Sequence, residues 1–227
     1  MACHYSKYDL YKRIEEERKF LQIGRKMYPL DLVTLCKEKY KIEVAFVPFL
    51  TEGLQGMFVP RKDDATPNII MLNVNRNEYE QNFSCAHEFI HFMLHQNEHL
   101  PAFNFETVRK SQNSYLEWQA NEGAAELLVP YKMFIPQLVG EIKDLPSLTS
   151  LDSVKHKLAK FFHVTPSVIE NRINSLKYEI YQYQNGVPLN ELEILSNRQL
   201  EQRNIKILSL NILCEKEWNR GFRSFHL

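Results

Sequence analysis

The sequence contains few cysteines, and none of them belongs to a metal-binding or disulfide pattern. Four are spread along the 227 residues without a Cys-x-x-Cys pair: Cys3, Cys36, Cys85 and Cys214. This spacing argues against a zinc knuckle and against the disulfide framework of a small secreted domain. We therefore expect a reducing compartment and a cytoplasmic protein.

Long apolar runs and an excess of charge are also absent. No run approaches the roughly 18 apolar residues of a membrane span, and the charged segment 1–22 lacks the apolar core of a signal peptide. The 28 basic residues balance the 28 acidic ones, so the net charge directs the chain neither to nucleic acid nor to an anionic membrane. We expect no membrane partner, and DNA binding would need a local basic patch.

Apolar residues make up 44% of the chain, which is enough for a folded core. Their spacing predicts two helices, three short strands and two further helices, at residues 5–22, 31–40, 42–47, 56–59, 68–74, 83–95 and 114–129. This order predicts an α+β fold in which a small antiparallel or mixed sheet packs against the helix at 83–95. If the last strand lay at the edge of that sheet, it could pair with an extended peptide.

We predict a first domain at residues 1–145 and a mainly helical C-terminal region at residues 146–227. Residues 151–177 predict two helices joined by a turn, where Thr165 can cap and Pro166 can start the second helix. A charged helix is predicted at 190–203, and the tail after it has no clear pattern.

Residues 151–177 are also a candidate helix-turn-helix. Five cations outnumber two anions there: Lys155, Lys157, Lys160, Arg172 and Lys177 against Asp152 and Glu170. Only Arg172 and Lys177 belong to the second helix, so direct DNA binding is disfavoured, because phosphate contacts need several cations. Closing over an active site and recognising a protein partner are equal alternatives for this segment.

The strongest pattern is His87-Glu88-Phe89-Ile90-His91, inside the apolar run 83–95. On an α-helix the two histidines lie roughly 40° apart around the axis and about 6 Å apart along it, so both imidazoles can bind one metal ion. Glu88 lies about 100° around the helix from His87, within reach of a water molecule beside the ion, where a general base is needed. The opposite arc is apolar and predicts the buried face: Ala86, Phe89, Ile90, Met93 and Leu94.

Catalytic zinc takes three protein ligands, so a third must come from elsewhere in the chain. The helix at 114–129 offers three carboxylates: Glu117, Glu122 and Glu126. Glu117 is preferred because Asn121, one turn further on, can hold the free nitrogen of a histidine ligand. Small residues would also let this helix approach the histidine helix closely: Ala120, Ala124 and Ala125.

Together, these two segments resemble the ImmA/IrrE family of zinc metallopeptidases, over roughly residues 31–138. The family combines His-Glu-x-x-His, often with a further His four residues on, with Glu-x-x-Ala-Asn-x-x-Ala-x-x-Leu-Leu-x-Pro. Here the first part is His87 to His91 with His95, and the second is Glu117-Trp118-Gln119-Ala120-Asn121-Glu122-Gly123-Ala124-Ala125-Glu126-Leu127-Leu128-Val129-Pro130. Two departures are Gly123, where an aromatic residue is usual, and about 80 C-terminal residues that do not match.

The resemblance implies a compact zincin-like fold, with Zn²⁺, or alternatively Mn²⁺, held by His87, His91 and Glu117, and with Glu88 as the catalytic acid/base. It also implies a protein substrate, because members commonly cleave a helix-turn-helix transcriptional repressor encoded beside them. That cleavage releases phage, mobile-element or stress genes. We therefore expect a zinc-dependent endopeptidase.

Two other classes of function remain as alternatives. The first is a regulatory protein that sequesters a repressor or another partner without cutting it, although a pure binder has no need of Glu88. The second is a DNA-binding module formed by the C-terminal helices.

The roles of several further residues stay open in the sequence. His95 lies about 80° from His87 on the helix, one turn beyond a shared ion, so we expect it to support a ligand or to pack. The longer metzincin pattern is absent, since Leu94 and Asn97 stand where it requires Gly and His. Five side chains could stabilise an oxyanion, and the sequence does not choose among them: Tyr79, Tyr115, Tyr131, His156 and His163.

Overall fold

The computed structural model describes residues 5–51, 53–95, 114–143, 145, 147 and 150–224. The chain forms two compact units. The first comprises Met1–Tyr5 and Asp9–Leu128, and the second comprises Ser6–Tyr8 and Val129–Leu227. The functional boundary between residues 145 and 146 stays a prediction.

The first unit contains the predicted helices and strands of the N-terminal half. In chain order they are α1 (Lys7–Phe20), a short 3-10 helix (Arg25–Met27), α2 (Leu32–Tyr40), β1 (Glu43–Val47), β2 (Gly56–Val59), β3 (Ile69–Asn73), α3 (Glu78–His95) and α4 (Ser114–Leu128). Asp31 caps α2 by accepting a hydrogen bond from the Thr34 amide, as its position before an apolar segment indicates. The histidine helix starts earlier than predicted, because Asn77 and Glu80 exchange side-chain hydrogen bonds with each other's amides.

The three strands form one mixed sheet in the order β1-β3-β2. β1 runs parallel to β3, and β2 runs antiparallel to it with Met57 opposite Met71. The expected α+β fold with a small mixed sheet is therefore confirmed. The last strand is central and not an edge, so the conditional expectation that β3 could accept a peptide is wrong; both of its sides are already paired, and β1 and β2 form the edges of this sheet.

Helix α3 packs against β2, β3 and α4. Ala86, Phe89 and Ile90 are fully buried, as the predicted apolar face requires. Met93 and Leu94 are only half-buried. The polar side of the helix is also largely covered, which places its functional groups away from bulk water.

The second unit is helical in the part that the structure describes. Its helices are α5 (Tyr131–Lys143), α6 (Leu151–Phe162), α7 (Pro166–Ser175), α8 (Lys177–Gln184), α9 (Asn197–Gln202) and α10 (Leu210–Ser224). Thr165 caps α7 and Pro166 opens it, as predicted. The charged helix predicted at 190–203 begins only at Asn197, where Ser196 and Gln199 form a capping box.

The candidate recognition helix α7 presents little positive charge. Arg172 is 1% exposed, and its Nε donates to the Val129 carbonyl. Asn211 of α10 donates to the Glu170 carbonyl and to the Asn174 side chain, so α10 lies along α7. Arg172, the one cation of α7, is therefore bound to a backbone carbonyl of the same unit.

Within the described parts of the chain, we find no helix with both the length and the apolar character that crossing a membrane requires.

Candidate metal centre

Helices α3 and α4 bring two imidazoles and one carboxylate to a single point. The Nε2 atoms of His87 and His91 lie 3.1 Å apart. Glu117 Oε2 lies 3.3 Å from His87 Nε2, and Glu117 Oε1 lies 3.4 Å from His91 Nε2. Among the residues that the structure describes, these three side chains form the group suited to a metal ion.

The spacing of these atoms fits a small divalent cation. A tetrahedral zinc ion with bonds of about 2.0–2.1 Å separates its ligand atoms by about 3.3 Å. Two imidazole nitrogens and a carboxylate oxygen are also the ligand types of a catalytic zinc site that keeps its fourth position for water. The site therefore fits Zn²⁺, and this mixed donor set does not exclude Mn²⁺.

The other two carboxylates of α4 have different partners or surroundings. The Tyr11 hydroxyl donates a hydrogen bond to Glu122 Oε1. Glu126 is 2% exposed and contributes to the electrostatic environment of Tyr28. Glu117 is thus the carboxylate of α4 that the structure places beside the two histidines.

The close approach of α3 and α4 depends on residues without large side chains. Ala120 and Ala124 are fully buried, as expected, whereas Ala125 is only half-buried. A β-carbon on Gly123 would stand 3.2 Å from Ile90 Cγ2, tighter than most contacts in proteins. The glycine that departs from the family pattern therefore lies at the contact between the helices.

Each histidine ring is held from behind through its Nδ1 atom. His87 Nδ1 lies 3.0 Å from Asn121 Oδ1, the partner that the sequence predicted. His91 Nδ1 lies 2.9 Å from His95 Nδ1, and His95 Nε2 lies 2.9 Å from Gln119 Oε1. Gln119 was not predicted; a polar side chain among the small residues of α4 was its only signal.

Glu88 lies beside this group in a buried position, with 9% of its surface exposed. Burial raises the pKa of its carboxyl group, although the charges of His87 and His91 and the backbone N–H of Phe58 oppose the rise. A carboxyl group with a raised pKa is a better proton acceptor than an ordinary carboxyl group.

The histidines and Glu117 shift each other's ionisation. Burial alone would lower the pKa of His87, but its hydrogen bond with Glu117 and the negative charges of Glu88 and Glu117 raise it. The hydrogen bonds from His87 and His91 hold the pKa of Glu117 far below its usual range. Glu117 therefore stays ionised, and a cation at this point would replace a proton.

The oxyanion candidates are not brought to one place by the described contacts. The Tyr115 hydroxyl donates to the Tyr5 carbonyl. Tyr79 is half-buried in the first turn of α3. Tyr131, His156 and His163 belong to the second unit, and His156 bonds the Asp152 carbonyl of its own helix. Their role in catalysis stays a prediction.

Three comparisons relate the chain to known proteins. A solved structure described as a Mycobacterium tuberculosis transcriptional regulator is 14% identical, with a TM-score of 0.49, and the match covers 75% of this chain and 47% of that one. The chain thus spans about half the length of that regulator. No curated protein matches the sequence. The family model of the IrrE N-terminal-like domain, the peptidase M78 family, matches residues 37–174, more than half of the chain. The chain therefore belongs to the peptidase M78 family of IrrE-like proteins.

Proposed function

We propose that this protein is a zinc-dependent endopeptidase that hydrolyses a peptide bond in a protein substrate. The observation that carries the proposal is the convergence of His87, His91 and Glu117 beside the buried carboxyl group of Glu88. Membership of a peptidase family supports the same reaction class. We assign the three converging residues to the metal, Glu88 to catalysis and Asn121 to the support of His87.

In this proposal the metal and Glu88 have different catalytic roles. A zinc ion held by His87, His91 and Glu117 would act as a Lewis acid, polarising a carbonyl group and making water more acidic. Glu88 takes a proton from the attacking water and passes it to the nitrogen of the leaving amine. Burial raises the pKa of Glu88 in the metal-free protein, which supports the first transfer, because a more basic carboxylate is a better proton acceptor.

Strand β2 is the proposed binding edge for the substrate. It lies at one edge of the sheet, and Gly56 lies in contact range of Glu88. An extended peptide pairing with β2 would receive backbone hydrogen bonds and place a peptide group near Glu88. In this proposal β2 takes the place of the central strand β3 as the strand that pairs with an extended peptide.

We propose a helix-turn-helix transcriptional repressor, encoded beside this chain, as the substrate, in line with the family resemblance. The buried position of Arg172 supports a protein partner over direct DNA binding. Cys36, Cys85 and Cys214 are free thiols, which supports a reducing compartment such as the cytoplasm. Such cleavage would release the genes that the repressor silences.

Cleavage of the neighbouring repressor by zinc-loaded protein tests this proposal. Wild-type protein should cut it, whereas Glu88→Gln should retain zinc and repressor binding and lose about 100-fold or more in rate. Glu78→Gln, an exposed change on the same helix, is the matched control and should cut normally. Equal cleavage by Glu88→Gln would refute the mechanism, and a stable complex without any cleavage would favour the sequestering alternative.

A further inference from the structure

Two hydrogen bonds lead from the His91 ring into the interior of the first unit. His91 Nδ1 lies 2.9 Å from His95 Nδ1, and His95 Nε2 lies 2.9 Å from Gln119 Oε1. His95 is 2% exposed and Gln119 is fully buried. This arrangement differs from the support of His87, whose partner Asn121 is exposed.

With the Gln119 amide oxygen facing His95, the chemistry of these atoms fixes where the protons lie. An amide oxygen only accepts hydrogen bonds, so His95 Nε2 must carry the proton that it donates to Gln119 Oε1. In the neutral ring of His95, Nδ1 then accepts, and the proton between the two Nδ1 atoms belongs to His91. His91 Nε2, which donates to Glu117 Oε1 at 3.4 Å in the metal-free protein, can then give up its proton and offer a metal ion its lone pair, because the proton on Nδ1 stays.

The opposite direction of these two hydrogen bonds would prevent His91 from binding a metal ion. If the Gln119 amide nitrogen faced His95, it would donate to His95 Nε2, and His95 Nδ1 would donate to His91. His91 would then carry its proton on Nε2 and could not bind a metal through that atom. The orientation of one buried amide thus decides whether His91 can be a ligand.

We propose that Gln119 and His95 are positioning residues that fix the tautomer of His91, with the Gln119 amide oxygen setting the direction of both hydrogen bonds. This inference rests on the proposed metal site and extends it by two residues. Gln119 lies on the same helix as Glu117, so α4 supplies one ligand directly and prepares another through His95.

Two matched pairs of variants test the proposal. Gln119→Glu keeps an acceptor for His95, whereas Gln119→Met has similar length and lacks one. His95→Asn keeps an acceptor near the position of Nδ1, whereas His95→Leu has the same shape and lacks one. Zinc affinity is measured by competition with a chromophoric chelator. It should stay within a few-fold of wild type for Gln119→Glu and His95→Asn, and it should fall about 10–100-fold for Gln119→Met and His95→Leu.

Thermal unfolding of the metal-free variants separates a positioning effect from a loss of folding. If Gln119→Met and His95→Leu fold and bind zinc as tightly as Gln119→Glu and His95→Asn, the proposal is wrong. If either variant fails to fold, the tautomers of the wild-type protein decide the question.

Nitrogen-15 NMR of the imidazole rings reads the tautomers directly, in metal-free and in zinc-loaded wild-type protein. We expect His95 to carry its proton on Nε2 in both forms, and His91 to carry its proton on Nδ1 in the zinc-loaded form. A proton on His95 Nδ1 in the metal-free protein would overturn the proposal. If the wild-type protein bound no zinc and His95 still carried its proton on Nε2, the proposed metal site would fail and the hydrogen-bond direction would stand.

Discussion

The side chain of Glu88 lies at the place where a side chain on Gly56 would begin. A β-carbon at Gly56 would stand 3.2 Å from Glu88 Cγ and 3.3 Å from Glu88 Oε1. The absence of a side chain at the start of β2 therefore leaves the space in which the proposed catalytic carboxyl group lies. This contact links the sheet edge proposed for the substrate to the group proposed for proton transfer.

Replacing Gly56 by Ala should displace Glu88 and slow catalysis. The added carbon should push Glu88 by a few tenths of an ångström. Since a shift of about 1 Å in a reacting group can cost about 100-fold in rate, we expect a loss of less than 100-fold with unchanged zinc affinity. Repressor cleavage and chelator competition measure the two effects. Gly24→Ala is the control, because nothing lies within 4 Å of the added carbon there. Wild-type cleavage by Gly56→Ala would contradict the proposed contact.

Glu88 should also lower the stability of the metal-free protein as the pH rises. Burial raises the pKa of its carboxyl group in the folded state, so the unfolded state loses this proton first and the free energy of unfolding falls with increasing pH. Glu88→Gln removes this pH-dependent contribution to the free energy of unfolding. In urea unfolding, the variant should therefore gain stability over wild type as the pH rises above 4.5, the ordinary pKa of this group, and a difference that does not change with pH would contradict the account.

The side chains that share one side of a helix could be predicted because helix geometry is local. His87 and His91 are four residues apart, as are Glu117 and Asn121, and that spacing alone puts each pair on one side of its helix. Gln119 could not be predicted in the same way. Its partner His95 lies 24 residues earlier in the chain, and their contact depends on how α3 and α4 pack.

The strand order and helix α5 also could not be predicted from the sequence, because both depend on contacts between distant residues. Strand order is set by long-range pairing, so the spacing of the strands could not show that β3 lies between β1 and β2. Helix α5 was missed because Pro130 indicates a helix end and Pro136 lies inside the new helix. Burial of Phe134, Ile135 and Leu138 accompanies this helix, and tertiary packing of this kind can override local propensity.

A large residue at Gly123 should separate the two site helices. Gly123→Phe forces an aromatic ring against Ile90, so we expect a loss of about 1–3 kcal/mol in the free energy of unfolding and weaker zinc binding. Ile90→Ala should relieve part of this cost. A double-mutant cycle measures the coupling between the two positions, and strictly additive effects would show that they do not meet.

Asn121 should contribute to zinc affinity through His87. Asn121→Leu has the same shape but removes the oxygen that lies 3.0 Å from His87 Nδ1, and we expect affinity to fall about 10–100-fold. Asn121→Asp keeps an acceptor and should bind zinc about as tightly as the wild-type protein, more tightly than Asn121→Leu. Equal affinities for the Leu and Asp variants would remove Asn121 from the site.

Zinc content per chain tests the central claim most directly. Plasma mass spectrometry should find about one zinc ion in the wild-type protein, because three side chains and a water complete a catalytic site. Glu117→Ala should lose the ion, whereas Glu122→Ala, the same change on the same helix, should keep it, since Glu122 bonds Tyr11 instead. A wild-type protein that stays metal-free after zinc is supplied, or a Glu117→Ala protein that retains a full complement of zinc, would contradict the proposed site.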